Sequence, residues 1–457
     1  MTAAAAKVPW SVRLAYAFPA FTLAVIGIPI YVFLPKFYTD TVGMDIAVVG
    51  VLLMAVRLFD AVTDPLIGHL SDEIRTPWGR RRPLIALGAA GLAFSLYFLF
   101  TPTEAPGNEQ VLRFAGWLVA LFLFWTLVTV PYEALGPELS DDYHERTTVF
   151  GWRDGFLIVG TLFAAASPSL SSGVLGFLGL PDHERARFTA LALMYGPLVL
   201  AAAFFCVWRI REKNRVETAP AEPFWAGYAG VFRNRPFVIL LSAYTVSAIG
   251  SNLPATLILY YVEYVLHSNR AELFLALYFV VGIVFIPFWV GLSRKTGKKA
   301  AWIGAMVINT LAFLGVFFLG PGDEAIYGVL VAISGIGFGA GLVLPSSIQA
   351  DVIDYDELIT GRRREGRYIG LWSVSKKLAA ALGVGLGLWL LGRTGYAPDA
   401  AQSPMTILTL KSLYALVPCV CQLIAMVIIG FYPITEVRFR EIRTRLQSMN
   451  THSNDHR

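Results

Sequence analysis

Apolar stretches long enough to cross a lipid bilayer recur twelve times along this chain of 457 residues. They fall near residues 12 to 35, 45 to 70, 84 to 101, 112 to 135, 147 to 170, 187 to 208, 237 to 262, 271 to 292, 300 to 319, 326 to 350, 367 to 391 and 408 to 433. Each span needs about 20 mostly apolar residues, so twelve use roughly 240 and leave the remainder for loops and tails. The composition excludes the soluble alternative. Only 15% of the residues are charged and 56% are hydrophobic, with a mean hydropathy of +0.59. Soluble domains carry roughly a quarter charged residues, and this inventory cannot cover a water-facing surface. The predicted fold class is an all-α integral membrane protein of twelve transmembrane helices. The first span is too long for a cleaved signal and runs into Pro35 and Lys36 without a small-residue cleavage site. Cys206, Cys419 and Cys421 lie in apolar stretches and read as small hydrophobes rather than as disulfides or metal ligands.

Orientation follows from where the 37 Lys and Arg fall, because short cytoplasmic loops hold the positive excess. On the side holding the N-terminus there are 27, on the opposite side seven, and three (Arg57, Lys376 and Lys377) lie inside spans. Both termini are therefore expected in the cytoplasm, in a bacterial inner membrane. Topology accounts for the net charge of +5, and nucleic acid is not an expected partner.

The chain also resembles itself. Gly68-His69-Leu70-Ser71-Asp72 and then Gly79-Arg80-Arg81-Arg82 follow the second span, and Gly291-Leu292-Ser293-Arg294-Lys295 and then Gly297-Lys298-Lys299 follow the eighth. Between them, residues 209 to 236 form the longest polar loop, broken by Pro220 and Pro223. The expected organisation is an N-terminal six-helix bundle over 1–208, a cytoplasmic linker over 209–236, a second bundle over 237–433 and a cytoplasmic tail over 434–457. Twelve spans in two similar halves resemble the major facilitator superfamily. That resemblance implies two bundles that rock about a central site near the bilayer midplane.

Ionisable residues inside spans each cost at least a few kcal/mol at the membrane centre unless they meet water or a partner. They are the candidates for function. The second span carries Arg57, Asp60 and Asp64 at spacings of three and four, which put them on one helical face. At about 1.5 Å per residue from Ser71, Asp60 lies roughly 16 Å deep and Asp64 roughly 10 Å deep. Two carboxylates one turn apart make a hard-oxygen site for a small cation or a pair able to carry a proton. The plain structural alternative is an Arg57–Asp60 ion pair, which would leave Asp64 without a partner.

Thr129 and Glu133 lie one turn apart in the fourth span, and Thr129 joins Asp60 and Asp64 as a candidate cation ligand. Glu133 is a candidate for the cavity wall, or for an ion pair at the mouth with Arg146 or Arg153. Arg153 offers a guanidinium fork to a substrate oxygen or to a gate carboxylate. In the second half Asp351, Asp354, Asp356 and Glu357 precede Arg362, Arg363 and Arg364, and this cluster is expected to be a solvated gate network in a loop. Lys377 lies about 15 Å past Arg367 along the helix axis, near the middle of a ~30 Å apolar layer. It, or Lys376 if the face is misjudged by one residue, is expected to approach Asp60 or Asp64 and, with Arg57, to couple the sites. Asp72, Arg80, Arg81, Arg146, Asp351, Asp354 and Arg363 are the expected cytoplasmic gate.

Several ordered motifs carry a closer resemblance. They are Asp60-Ala61-x-x-Asp64-Pro65, Trp78-Gly79-Arg80-Arg81-Arg82-Pro83, Pro131-Tyr132 before Glu145-Arg146, and Asp351-x-x-Asp354-Tyr355 through Thr360-Gly361 to Lys377. Together they resemble the glycoside-pentoside-hexuronide cation symporters, the family of the melibiose permease. The resemblance implies symport of a sugar or glycoside with Na+ or H+, with Asp60 and Asp64 as cation ligands, Arg153 near the sugar and Lys377 coupling the sites. It implies no cofactor beyond the coupling ion and a carrier that works as a monomer in membrane lipid. The first span, unlike that of the melibiose permease, has no acid, and in the fourth Thr129 stands in place of an acid and Glu133 in place of a tryptophan. The sugar clamp is therefore expected to differ, with Tyr31, Trp125, Glu133, Arg153 and Trp372 as candidate lining residues. Two rival functions are a cation-coupled symporter of a lysophospholipid or other amphiphile and a non-transporting membrane sensor on the same fold. An enzyme is disfavoured, since no histidine lies mid-membrane and no phosphate-cradling glycine loop is present.

Overall fold

In hydrocarbon no water is at hand to satisfy backbone N–H and C=O groups, so a spanning segment must satisfy its own, as a helix does. The computed structural model describes residues 8–74, 76–104, 107–136, 139, 143–212, 230–360, 365–398, 400–434 and parts of 438–445. Among these residues the β structure is limited to an isolated bridge between Thr76 and Gly79.

Fourteen helices account for the apolar runs: α1 (Trp10–Thr41), α2 (Ile46–Glu73), α3 (Arg82–Phe100), α4 (Gly107–Leu135), α5 (Tyr143–Ala165), α6 (Ser167–Phe177), α7 (Glu184–Arg209), α8 (Arg235–Tyr264), α9 (Ala271–Val284), α10 (Ile286–Thr296), α11 (Lys298–Phe317), α12 (Glu324–Thr360), α13 (Glu365–Arg393) and α14 (Pro404–Gly430). Among the described residues ten candidate spans are unbent, and the count is twelve when the bent pairs α5–α6 and α9–α10 are each taken as one span. The bends, 63° and 43°, come just before Pro168 and Pro287. Proline removes an intrahelical hydrogen bond and clashes with the preceding turn. The starts of α2, α7 and α8 are capped by side chains. Val48 N donates to Asp45 Oδ1 at 3.0 Å, Ala186 N to His183 Nδ1 at 3.1 Å and Phe237 N to Asn234 Oδ1 at 3.2 Å. Between α6 and α7, Arg187 forks onto Asp182 at 2.6 and 3.0 Å, and these hydrogen bonds hold that exposed carboxyl below its ordinary range.

Expected to end near 350, the tenth span instead continues as α12 through Thr360, so Asp351, Asp354 and Asp356 are helical rather than loop residues. No glycine or proline interrupts the chain between Pro345 and Gly361, which leaves nothing local to stop the helix.

The chain forms two compact units. The first comprises residues 1–217 together with 384–403, and the second residues 218–383 together with 404–457. In the first, α1 packs on α5 and α7, and α3 on α4 and α7, while α2 lies on α4. In the second, α11 and α9 pack on α12, and α8 on α14. The sequence repeat has a conformational counterpart. Gly79 and Gly297, its two matching glycines, both take positive φ, +113° and +85°, in the turns before α3 and α11. That backbone region is open to glycine at little cost.

Helices approach closely where a side chain is missing. A Cβ added at Gly88 of α3 would lie 2.9 Å from Val128 Cγ2 and 3.0 Å from the Leu127 backbone of α4. Gly88→Val is therefore expected to force these helices apart and cost about 1–3 kcal/mol. Thermal unfolding of the detergent-purified variant checks this, and an unchanged midpoint would refute it.

Candidate functional site

On α2, the intramembrane acid Asp60 faces α4. Asp60 is only 2% exposed, and its Oδ1 accepts a hydrogen bond from Thr126 Oγ1 at 2.6 Å. That is the short distance of a charge-assisted bond. Asp64, one turn on, is half-buried with Oδ1 turned inside. Arg57, one turn before Asp60, does not form the ion pair that a purely structural role would require. Its Cζ lies 3.8 Å from the centroid of Tyr31 on α1 and 5.1 Å from that of Phe122 on α4. Tyr31 is 6.1 Å from Trp125 and 6.2 Å from Phe122, ring centre to ring centre, so the guanidinium sits at one end of an aromatic cluster.

Local sequence explains how α1 presents Tyr31. Pro29 opens a π-helical turn over Pro29–Phe33 inside the helix, with Tyr31 at its centre. Such a turn inserts an extra residue into the helical ladder and re-aims the side chains on it. On α4, Thr126 was not among the expected ligands. Thr129, which was, is half-buried three residues further along, and Glu133 is exposed. Tyr132, between them, donates from its hydroxyl to the Tyr16 carbonyl at 2.6 Å and ties α4 to α1.

Arg153 on α5 spends part of its fork on its own neighbour. Its Nε and Nη2 reach Asp154 Oδ1 at 2.8 and 2.7 Å, and its Cζ lies 4.8 Å from the Phe150 ring centre. In the second unit, Trp372 is 9% exposed and stacks on Tyr244 with centroids 4.0 Å apart. It belongs to the hydrophobic core there, a packing role rather than a free lining face. On α13 Lys377 is half-buried and Lys376 exposed. Among the described residues no three His, Cys, Asp or Glu side chains converge as a metal cluster. Two carboxylates with hydroxyls suit a hard monovalent cation or a proton better than a transition metal.

The model of the family described as MFS/sugar transport protein matches residues 15–436. The chain belongs to that family. It is an integral membrane transporter of small-molecule solutes, not an enzyme. A glucuronide carrier protein homolog of Escherichia coli (strain K12) is 29% identical over 429 residues, 90% of this chain and 89% of that protein. An isoprimeverose transporter of Lactiplantibacillus pentosus is 26% identical over 94% of this chain and 90% of its own length. Among solved structures, a bacterial homolog of the human lysosomal transporter Spinster, in an inward-facing conformation, has the same fold. Its TM-score is 0.64 at 15% identity, over 96% of both chains.

Carboxylates tie the two basic turns of the transporter. Glu212, just past α7, accepts from the backbone N–H groups of Arg80, Arg81 and Arg82 at 2.7, 2.9 and 2.9 Å. A carboxylate at the start of α3 also meets the positive end of the helix dipole. The Arg81 side chain is 7% exposed and donates from Nη1 to the Ala134 carbonyl at 2.5 Å. In the second unit Lys298 grips both oxygens of Asp351 at 2.6 and 2.7 Å and also donates to the Ser347 carbonyl. Asp351 is 8% exposed and Asp356 4%, so burial, not solvation, defines this cluster. The solvated gate is corrected accordingly, because α12 turns these acids inward against α11. Asp354 is half-buried. The side chains of Asp72 and Arg146, and the whole of Arg363, lie outside the described residues. Lys298 and Glu212 escaped sequence reasoning as site residues. The repeat of Gly297-Lys298 with Gly79-Arg80 was the signal for the first, and none marked the second.

Lys298→Met is expected to cost about 1–3 kcal/mol by removing the cation that grips the buried Asp351 carboxylate. The double variant Lys298→Met/Asp351→Leu should regain much of that loss. Melting curves of the wild type, Lys298→Met, Asp351→Leu and the double variant test the coupling, which strictly additive losses would exclude.

Proposed function

We propose that the chain is a secondary active symporter that moves a sugar or glycoside by alternating access, driven by a Na+ or H+ gradient. The observation that carries this reading is Asp60. It is nearly sealed, held by Thr126, and followed one turn later by Asp64. A buried carboxylate is costly unless its charge is compensated. Binding of a cation or proton to this pair neutralises it and lets the loaded carrier reorient, which couples the two fluxes through one free energy. Thr129, three residues past Thr126 on the same helix, is a further ligand in this scheme. Tyr31 and Trp125 supply ring faces on which a sugar stacks, Arg153 and Glu133 supply polar contacts, and Lys377 is the coupling cation. The two basic turns and the Lys298–Asp351 pair serve as the cytoplasmic gate. The excess of basic residues on one side supports cytoplasmic termini in an inner membrane. The carrier works as a monomer.

Support also comes from the family description and from the relatives, which carry glucuronide and isoprimeverose by name. The decisive assay is uptake of a panel of labelled sugars into proteoliposomes, with sodium and proton gradients imposed separately. Asp60→Asn and Asp64→Asn should each abolish concentrative uptake while the protein still inserts. Wild-type accumulation by both would sink the mechanism. Thr126→Val should raise the cation concentration for half-maximal uptake by about tenfold, the cost of one charged hydrogen bond. Lys377→Ala should slow gradient-driven uptake more than exchange without a gradient, and equal slowing of both would remove its coupling role.

A further inference from the structure

We infer that the contact of the last part of α13 with α1 and α2 is a latch on the non-cytoplasmic side of the carrier, fastened by Tyr396 on Asp40, and that its release opens that side to cargo. The inference rests on the alternating-access reading above and assigns to it a device built from this chain's own residues.

α13 is divided. Its residues up to 383 group with the second unit, whereas residues 384–403 group with the first. The part in the first unit runs antiparallel against α2 along a stripe of small residues. A Cβ added at Gly385 would lie 2.5 Å from Met54 Cβ, one at Gly50 2.8 Å from Leu388 Cβ, and one at Gly392 2.9 Å from Ala47 Cβ. These positions recur once per turn on both helices, so the two backbones stay close over about 10 Å.

Beyond the stripe α13 ends in a turn at Gly395, where φ is +80°, and the next residue reaches α1. Tyr396 donates from its hydroxyl to Asp40 Oδ1 at 2.8 Å. Asp40 also takes Thr39 Oγ1 on Oδ1 at 2.7 Å and Lys36 Nζ on Oδ2 at 2.7 Å, and its side chain is 5% exposed. Thr39 and Asp40 lie in a second π-helical turn, Phe37–Thr41, that closes α1. In the proposed topology α1 starts at the cytoplasmic face, so this end lies on the opposite side of the membrane.

Lipid tails are as apolar as the helix faces they replace, so small-residue packing in a bilayer is held by van der Waals contact rather than by the hydrophobic effect. Such a contact can part into lipid without a large cost. The directional bond at its end then weighs heavily, since a hydrogen bond to a charged group is worth about tenfold or more in an equilibrium. Lys36 and Thr39 belong to α1 itself and stay with Asp40 when α13 moves. Release therefore gives up the Tyr396 bond without stripping the carboxylate of its partners.

The test reads accessibility in spheroplasts and needs no knowledge of the solute. Ile46 is 3% exposed, and its Cγ2 would lie 2.9 Å from a Cβ at Gly392. In the full-length chain with Cys206, Cys419 and Cys421 replaced by serine, Ile46→Cys is treated from outside with a membrane-impermeant maleimide. The labelling rate follows the released fraction when opening and closing are fast. Tyr396→Phe, which keeps the ring and removes the hydroxyl, should speed labelling about tenfold. Asp40→Ala should do the same, and combining the two should bring no further gain, as the two ends of one bond require. Gly385→Ala, a wedge in the stripe, should also speed it. Cys206, restored as the sole cysteine and fully buried in α7, should stay unlabelled in every variant. Unchanged labelling of Ile46→Cys in Tyr396→Phe, multiplied gains in the double variant, or matching gains at Cys206 would each overturn the latch and leave the symporter reading standing. A latch that responds as expected in a protein that takes up no probe sugar into proteoliposomes would remove the symporter reading alone.

Discussion

A bilayer interior satisfies no polar group, and everything else in this protein follows from that constraint. It forces the apolar runs into helices that close their own hydrogen bonds. It also makes each charge inside a span conspicuous, because such a charge persists only where a partner or a ligand compensates it. In α2 the constraint bears on three residues within eight positions, and each meets it differently. Asp60 takes a hydroxyl, Asp64 is half-buried one turn on, and Arg57 lies over the Tyr31 and Phe122 rings.

The site is assembled by three helices that do not follow one another in a simple hairpin. α1 contributes Tyr31 through a π-helical turn opened by Pro29, α2 the charged face, and α4 the sequence Phe122, Trp125, Thr126 at one-turn spacing. Rigid helices hold these groups better than loops would, which suits the proposed binding of ion and cargo in a fixed relation. The aromatic cluster does double duty. Its faces support a guanidinium and are of the kind on which the proposed sugar cargo would stack.

Away from the site, the ends of the helices are tied by charge rather than by apolar packing. Glu212 gathers three backbone N–H groups at the turn before α3, and Lys298 holds Asp351 where α11 begins. Both ties sit at turns whose glycines adopt positive φ, and these turns are the internal repeat visible in the sequence. Sequence similarity between the halves thus marks the same backbone conformation, although the acid that satisfies each turn comes from a different place. One is supplied by the segment after α7, the other by α12.

The helical membrane fold and the place of Asp60 and Asp64 inside a spanning helix were legible from the amino-acid order, since span length, helical spacing and a charge in an apolar run are local properties. Which partner each charge takes was not. Thr126 and Thr129 lie three residues apart on nearly the same face of α4, and only the rotation and crossing of α4 against α2 decides which hydroxyl reaches the carboxylate. The same holds for Arg57, whose spacing pointed equally well to Asp60 but whose side chain lies over Tyr31 because a π-helical turn re-aims that ring. Trp372 could have lined a cavity and instead packs on Tyr244, and α12 could have ended near 350 and instead carries Asp351 inward to Lys298. Spacing specifies which face a residue occupies. What that face meets depends on neighbours distant in the chain, and those are brought together only by packing.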